Sequence, residues 1–268
     1  FISIDDNEVH HLRKLCDEVF GEENFVSEFI WKSRQNKDNR TITGVSVDHE
    51  YIVCYTRNFE HRALRGSERK TEQYENPDND KRGLWVSANM VGLKSELERP
   101  NLHYDLIDPV SGIIYKKHTM GWRYDKNTMS RLIKEERIIW PQSSDGRPRR
   151  KVFLNELDDN LPGFTSIVGE DIFTRNGTNE IEQLFEQRIF DFPKPSAIIA
   201  ELIDQVAENG DIVLDFFAGS GPTGQAVLNI SQQNGRLINF ILVQLPEATN
   251  EKSEAYKAGY KKISDITI

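Results

Sequence analysis

The chain has 268 residues, 37% hydrophobic and 29% charged, enough for one large domain or two modest ones with real cores. No apolar run approaches the roughly 20 residues that cross a bilayer, and no basic-then-apolar leader opens the sequence, so the chain reads as cytoplasmic. A net charge of −9 argues against adhesion to nucleic acid over the whole surface.

The first block, residues 1–58, reads strand, helix, strand, strand. Phe1–Ile4 is a short apolar run, and the chain opens on it with no methionine, as a fragment would. Asp5 and Glu8 stand at capping-box spacing before Val9, Leu12, Leu15, Cys16, Val19 and Phe20, an apolar helical face that Gly21 ends. Phe25–Trp31 and Glu50–Thr56 are β-rich runs joined by a polar loop, which predicts an antiparallel pair. Cys16 and Cys54 fall on an apolar helix face and in an apolar strand, as buried free thiols do, and metal-ligand spacing is absent.

The middle block, residues 59–188, is polar and punctuated by Gly, Pro, Asn and Asp, yet holds Trp85, Trp122 and Trp140. Hairpin signals lie at Tyr104–Tyr115, around Pro109-Val110-Ser111-Gly112, and at Asp145-Gly146 before Lys151–Leu154. A short helix is predicted from Lys126 to Glu136. Aromatic and basic residues interleave at Gly121-Trp122-Arg123-Tyr124 and near Arg147-Pro148-Arg149-Arg150-Lys151. Positive charge concentrates in two stretches: nine Lys/Arg against five Asp/Glu in residues 31–70, and eleven against four in 116–151. Lys and Arg that neutralise phosphates supply most sequence-independent DNA affinity, so these stretches are a candidate footprint, set against an ordinary solvated face.

The last block, residues 189–268, returns to α/β texture. Ile198, Ile199, Leu202, Ile203 and Val206 share a helical face with Ser196 as candidate N-cap, and Asn209-Gly210 closes it. The strand Ile212–Phe217, a glycine loop, the helix Thr223–Gln232 and the strand Phe240–Gln244 form a βαβ unit, which implies a parallel sheet. The expected architecture is one α/β domain with five strands, split by a small α+β insertion.

Asp215-Phe216-Phe217-Ala218-Gly219-Ser220-Gly221-Pro222-Thr223-Gly224 carries the most chemistry. Glycines let a ligand approach the backbone, the following helix start is electropositive, and Pro222 suits a first helical residue. Residues 219–224 satisfy G-x-G-x-x-G, so a dinucleotide must be weighed. A carboxylate at Asp215 would repel a pyrophosphate, Ser220–Thr223 is bulky for that turn, and Gln244 stands where a ribose-binding acid is expected. S-adenosylmethionine, with its ammonium and sulfonium, is instead favoured by Asp215.

Asp215-x-Phe217-x-Gly219-Ser220-Gly221-x-Thr223 resembles the methyl-donor motif of amino DNA methyltransferases. Phe190-Asp191-Phe192-Pro193-Lys194-Pro195, the opening Phe1–Glu8 and His49-Glu50-Tyr51-Ile52-Val53 resemble segments of their β-group. With Gly121–Tyr124, Pro148–Lys151 and Phe240–Glu247, they resemble the Mod (modification) subunit of type III restriction-modification systems. The resemblance implies a Rossmann-like S-adenosylmethionine-dependent methyltransferase fold, here incomplete, with residues 59–188 as an inserted target-recognition region. Asp215, Phe217, Ala218, Gly219, Ser220, Gly221 and Thr223 would then line the donor's methionine end. Lys194 would face its carboxylate, and Gln244 its ribose, with Glu247 competing. Asp5 would lie near the active-site edge or simply cap a helix. Arg123, Arg147, Arg149, Arg150 and Lys151 would meet double-stranded DNA.

The family's Asp-Pro-Pro-Tyr tetrapeptide, which holds the target amine of a flipped base, occurs nowhere in the sequence and is expected upstream of Phe1. The resemblance favours adenine N6 over cytosine N4, a homodimeric parent and a restriction (Res) subunit as partner. A non-catalytic DNA- or donor-binding piece and an NAD oxidoreductase are the competing readings.

Overall fold

A computed structural model describes residues 1–59, 63–157 and 161–267; Glu60 and Arg62, which belong to the first basic stretch, and Ile268 lie outside the described residues. Strand β1 (Ile2–Ile4) leads to helix α1 (Val9–Phe20) and strands β2 (Phe25–Trp31) and β3 (Glu50–Tyr55). Strands β4 (Trp85–Asn89), β5 (Leu106–Ile107) and β6 (Ile114–Tyr115) precede helix α2 (Lys126–Lys134), then β7 (Ile138–Ile139), β8 (Arg149–Phe153) and β9 (Ile167–Val168). The chain continues through α3 (Thr174–Phe185), α4 (Ser196–Asp204), β10 (Ile212–Asp215), α5 (Pro222–Asn234), β11 (Asn239–Leu242), α6 (Glu254–Lys257) and α7 (Ser264–Thr267). It is a mixed α/β protein. Two compact units form, Phe1–Ser67 with Pro162–Ile268, and Glu68–Leu161. Residues 162–188, placed with the middle block by texture, pack in the first unit, where β9 pairs parallel with β2.

In the first unit, a four-stranded sheet runs β1-β3-β2-β9, with β3 antiparallel to both neighbours, so the expected β2–β3 pair forms. The β10–α5–β11 unit also forms, with β10 and β11 parallel and Asp215 level with Leu242. The parallel pairing implied by the βαβ pattern is thus present, and among the described residues these two strands make a separate two-stranded ladder. Helix α4 joins the two parts because it is apolar on two faces. Ile198 and Leu202 bury against Phe29, Trp31, Ile52 and Val168, while Ile203 packs with Ala226, Val227 and Ile230 of α5. Full burial of one such side chain contributes about 1.5–3 kcal/mol, so this packing holds α5 against α4.

Two capping expectations fail. Glu8 is the N-cap of α1 without a side-chain bond, and Asp5 Oδ1 instead accepts from Asn7 N at 3.1 Å in a local turn. Pro195, not Ser196, is the N-cap of α4; Ser196 is buried and its N–H donates to Glu180 Oε2 at 2.9 Å. Helix α4 also ends at Asp204, before the Asn209-Gly210 turn, leaving Val206 outside it. Gly21 closes α1 and Pro222 opens α5, both as expected. Cys16 and Cys54 are buried free thiols, their pKa raised chiefly by desolvation.

The second unit holds the sheet β4-β8-β7 and the hairpin β5–β6, the latter at the predicted turn. Its core gathers Met90, Leu106, Tyr115, Trp122, Met129 and Leu132, so Trp122 is a packing residue, with its indole N–H donating to Tyr104 O at 2.8 Å. Asp125 caps α2 by accepting from Thr128 N at 2.9 Å. No helix among the described residues is long and apolar enough to cross a membrane.

Candidate functional site

The glycine loop is held from three sides. At the end of β10, Asp215 Oδ1 accepts from Phe217 N at 3.0 Å, and Oδ2 accepts from the Thr223 hydroxyl at 2.5 Å. Ala218 is buried, and its N–H reaches Val243 O at 3.2 Å, so the loop folds back over β11. Gly219 N donates to Gln244 Oε1 at 2.7 Å, while the Thr267 hydroxyl donates to Gly219 O at 2.6 Å. Gly219 and Gly221 sit at φ 55° and 83°, left-handed values that a side chain resists. A Cβ on Gly219 would also come within 3.4 Å of the Phe190 ring. The turn therefore depends on glycine for its backbone conformation.

Lys194, Ser220 and Gly221 are brought together on a cavity of ≈ 290 Å³, with Pro222, Phe240 and Leu242 on its walls. Asp215, Phe217, Ala218, Gly219, Thr223 and Gln244 lie outside that lining. Asp215 and Gln244 shape the loop through the bonds above, Thr223 is buried, and Phe217 is 77% exposed. Lys194 is placed by a close backbone approach: a Cβ on Gly177 of α3 would collide with the carbonyl of Pro193, so only glycine lets this segment pass. Its Nζ donates to Glu50 Oε2 at 2.8 Å and lies 5.6 Å from the Trp31 ring centroid. Glu50 and Thr267 are contacts of the candidate site that sequence reasoning missed. Glu50 lay within a quoted strand, but its partner is 144 residues away. Thr267 left no local signal.

In the second unit the basic residues divide by environment. Lys151 has 11% of its side chain exposed and is bound to Asp78 and, at 2.9 Å, to Asp80. Burial disfavours its charge, but the two carboxylates outweigh that and raise its pKa. Arg123 Nε donates to Val91 O at 3.1 Å, and Arg150 Nη1 to the Tyr124 hydroxyl at 2.8 Å. Arg149 Nε meets the Ser87 hydroxyl at 2.6 Å, though the residue remains exposed. Arg147 is exposed and, among the described residues, makes no side-chain hydrogen bond or ion pair. Arg147 and Arg149 therefore present charge outward, while Lys151 spends its charge internally. No group of three or more His, Cys, Asp or Glu among the described residues could hold a metal ion.

Residues 1–254 match the model of the N6/N4 DNA methylase family, and the chain belongs to that family. It is 31% identical to the type III restriction-modification enzyme EcoP15I Mod subunit of Escherichia coli, over the whole chain and 46% of that protein. It is 30% identical to the StyLTI Mod subunit of Salmonella typhimurium, again over the whole chain and 40% of that relative. The type II methyltransferase M.KpnI of Klebsiella pneumoniae is 28% identical, with 67% of its length covered. The chain thus spans less than half the length of the two Mod subunits. The likeness read from the glycine loop, the Phe190–Pro195 segment and the opening strand agrees with this membership.

Proposed function

We propose that the chain is the donor-binding and DNA-contacting part of a methyltransferase that moves a methyl group from S-adenosyl-L-methionine to the N6 amine of adenine in DNA, the modification subunit of a type III system. The observation that carries this reading is the braced glycine loop after β10, whose Ser220 and Gly221 share a cavity with Lys194. The names of the Mod relatives favour the type III assignment. On this reading β10–α5–β11 belongs to a Rossmann-like methyltransferase sheet, and residues 68–161 are an inserted target-recognition module. The whole protein would pair as a homodimer, act in the cytoplasm on double-stranded DNA and assemble with a Res subunit.

The residues present fit the donor. Two left-handed glycines keep the loop free of side-chain bulk, and Asp215, which braces that loop through Phe217 N and Thr223 from outside the cavity lining, adds a negative charge that favours a cationic ligand. Lys194, anchored by Glu50, would face the donor's carboxylate across the cavity. When bound, the donor supplies a methyl group activated by its sulfonium. The chain's own contribution is to orient it: Gln244 and Thr267 fix the two backbone groups of Gly219, and Asp215 ties the loop to the first turn of α5 through Thr223. The Asp-Pro-Pro-Tyr segment that would hold the target amine is absent from these residues, so the chain alone binds without turning over.

Calorimetric titration with S-adenosylhomocysteine and, separately, with NAD tests the reading. Binding of the first and none of the second is expected; the reverse, or no binding of either, overturns the assignment.

A further inference from the structure

A second cavity, of ≈ 510 Å³, opens between the β2–β3 connection and the start of α3. Four cations line it: Arg34, Arg40, Arg175 and Lys194. Glu50 is the one carboxylate in that lining, and it is paired with Lys194 at 2.8 Å. Asp38, just outside, bridges Arg34 and Arg40 at 3.0 Å each; Arg40 and then Arg34 hold its carboxyl well below the usual range, so it stays charged. Positive charge still exceeds negative. Arg175 is exposed and, among the described residues, makes no side-chain hydrogen bond or ion pair. Lys32 adds a further cation, 5.9 Å from the Phe173 ring.

Three aromatic residues, Trp31, Phe173 and Phe192, share the remaining lining with Ser33, Gln35, Asn36 and Thr174. Phe192 is unusual twice over. It is 79% exposed, and its backbone sits at φ 52°, a left-handed conformation that bulky residues rarely adopt. Such strain persists only where neighbouring structure enforces it, and it clusters at ligand clamps. The next residue, Pro193, passes so close to Gly177 that a Cβ there would collide with its carbonyl, so the segment after Phe192 is tightly placed.

We propose that this cavity holds a phosphate-bearing nucleotide of a DNA strand, its phosphate on Arg175, Arg34 and Arg40 and its base against Phe192 and Phe173. Cations that track a backbone and exposed rings that stack bases are the joint requirement of single-strand binding, and the cavity provides both. The methyl donor is a poor occupant, because its ammonium and sulfonium would meet these cations. Lys194 lines both cavities, and no residue of the glycine loop lines this one. The inference rests on the DNA-methylating reading and adds a strand contact in the first unit, separate from the basic run at 147–151.

Fluorescence anisotropy with a 5′-fluorescein single-stranded decadeoxynucleotide and the 268-residue chain tests it, alongside S-adenosylhomocysteine calorimetry. Both altered side chains are exposed, so folding should survive, and circular dichroism verifies this. Arg175→Gln should raise the dissociation constant about fivefold and reduce the logarithmic salt slope by about 0.7, while Arg175→Lys keeps the slope. Phe192→Gly, which removes the ring and relieves the backbone, should weaken binding about tenfold with the slope unchanged. Both variants should bind S-adenosylhomocysteine as the parent does. Oligonucleotide affinity unchanged in both variants, or absent in the parent, overturns the proposal. So does a loss of S-adenosylhomocysteine affinity with DNA affinity intact, which would assign the cavity to the donor. If the parent ignores S-adenosylhomocysteine yet the oligonucleotide effects appear, the cavity proposal stands and the donor assignment fails.

Discussion

Gln244 Oε1 accepts the Gly219 N–H at 2.7 Å, and this bond ties the glycine loop to the segment that follows β11. The sequence suggested a ribose contact for Gln244; in the structure its oxygen is committed to the loop backbone. Gln244→Leu should leave the Gly219 N–H without its acceptor, at a cost of about 1–3 kcal/mol. S-adenosylhomocysteine affinity should drop accordingly, whereas Gln244→Glu, which retains an acceptor, should keep most of it. Calorimetry on the three proteins checks this, and equal affinity for Leu and Gln would return Gln244 to the solvent.

Lys151 and the exposed arginines should separate in experiment. Arg147→Gln with Arg149→Gln should weaken duplex DNA binding and lower the salt slope by up to about 0.9 per lost phosphate contact, with little effect on melting. Lys151→Met should leave Asp78 and Asp80 short of a donor and destabilise the protein by about 1–3 kcal/mol, read from denaturant unfolding. A Lys151 variant that melts normally but loses DNA binding would contradict the division.

The same cluster sets a pH dependence. Arg82, then Lys151, hold Asp80 far below the usual carboxylate range against the effect of burial, and Lys151 and Trp85 lower Asp78. A depressed folded-state pKa gives stability that is present above the unfolded value of about 3.9 and lost as pH falls through the folded value. Lys151 is shifted up, so its contribution is lost only on the alkaline side. Stability should hold from pH 5 to 8 and fall below about pH 4. Lys151→Met should show a shallower acid loss; an identical acid profile would remove the cluster from the account.

On the proposed function the 268 residues should transfer no labelled methyl group to DNA, because the Asp-Pro-Pro-Tyr tetrapeptide that the resemblance assigns to the target amine is not among them. Turnover above a no-protein control would show that other residues of this chain perform that role.

The β10–α5–β11 unit was legible because each of its parts carries a local signal: apolar strands, a glycine turn, Pro222 at the helix start. Strand β9 was not, since two residues carry no periodicity and its pairing with β2 depends on a distant segment. The cap at Asp5 was misread because Asn7 offers its carboxylate a nearer N–H. The pairing of Lys151 was not legible for a different reason. Its partners Asp78 and Asp80 lie 73 and 71 positions away, and a charge count cannot distinguish a paired lysine from an open one.

On the proposed function the loop after β10 binds the methyl donor, and S-adenosylhomocysteine calorimetry on the parent chain, Asp215→Asn and Gly219→Val tests this. Asp215→Asn retains an acceptor for Phe217 N, and the Thr223 hydroxyl can turn to accept from the new amide, so the fold should survive. Losing the charge should weaken binding by ~1.5–3 kcal/mol, roughly tenfold to over a hundredfold. Gly219→Val should be worse, because a branched side chain resists φ 55° and crowds Phe190. Folded Asp215→Asn protein that binds the ligand as tightly as the parent would contradict the assignment.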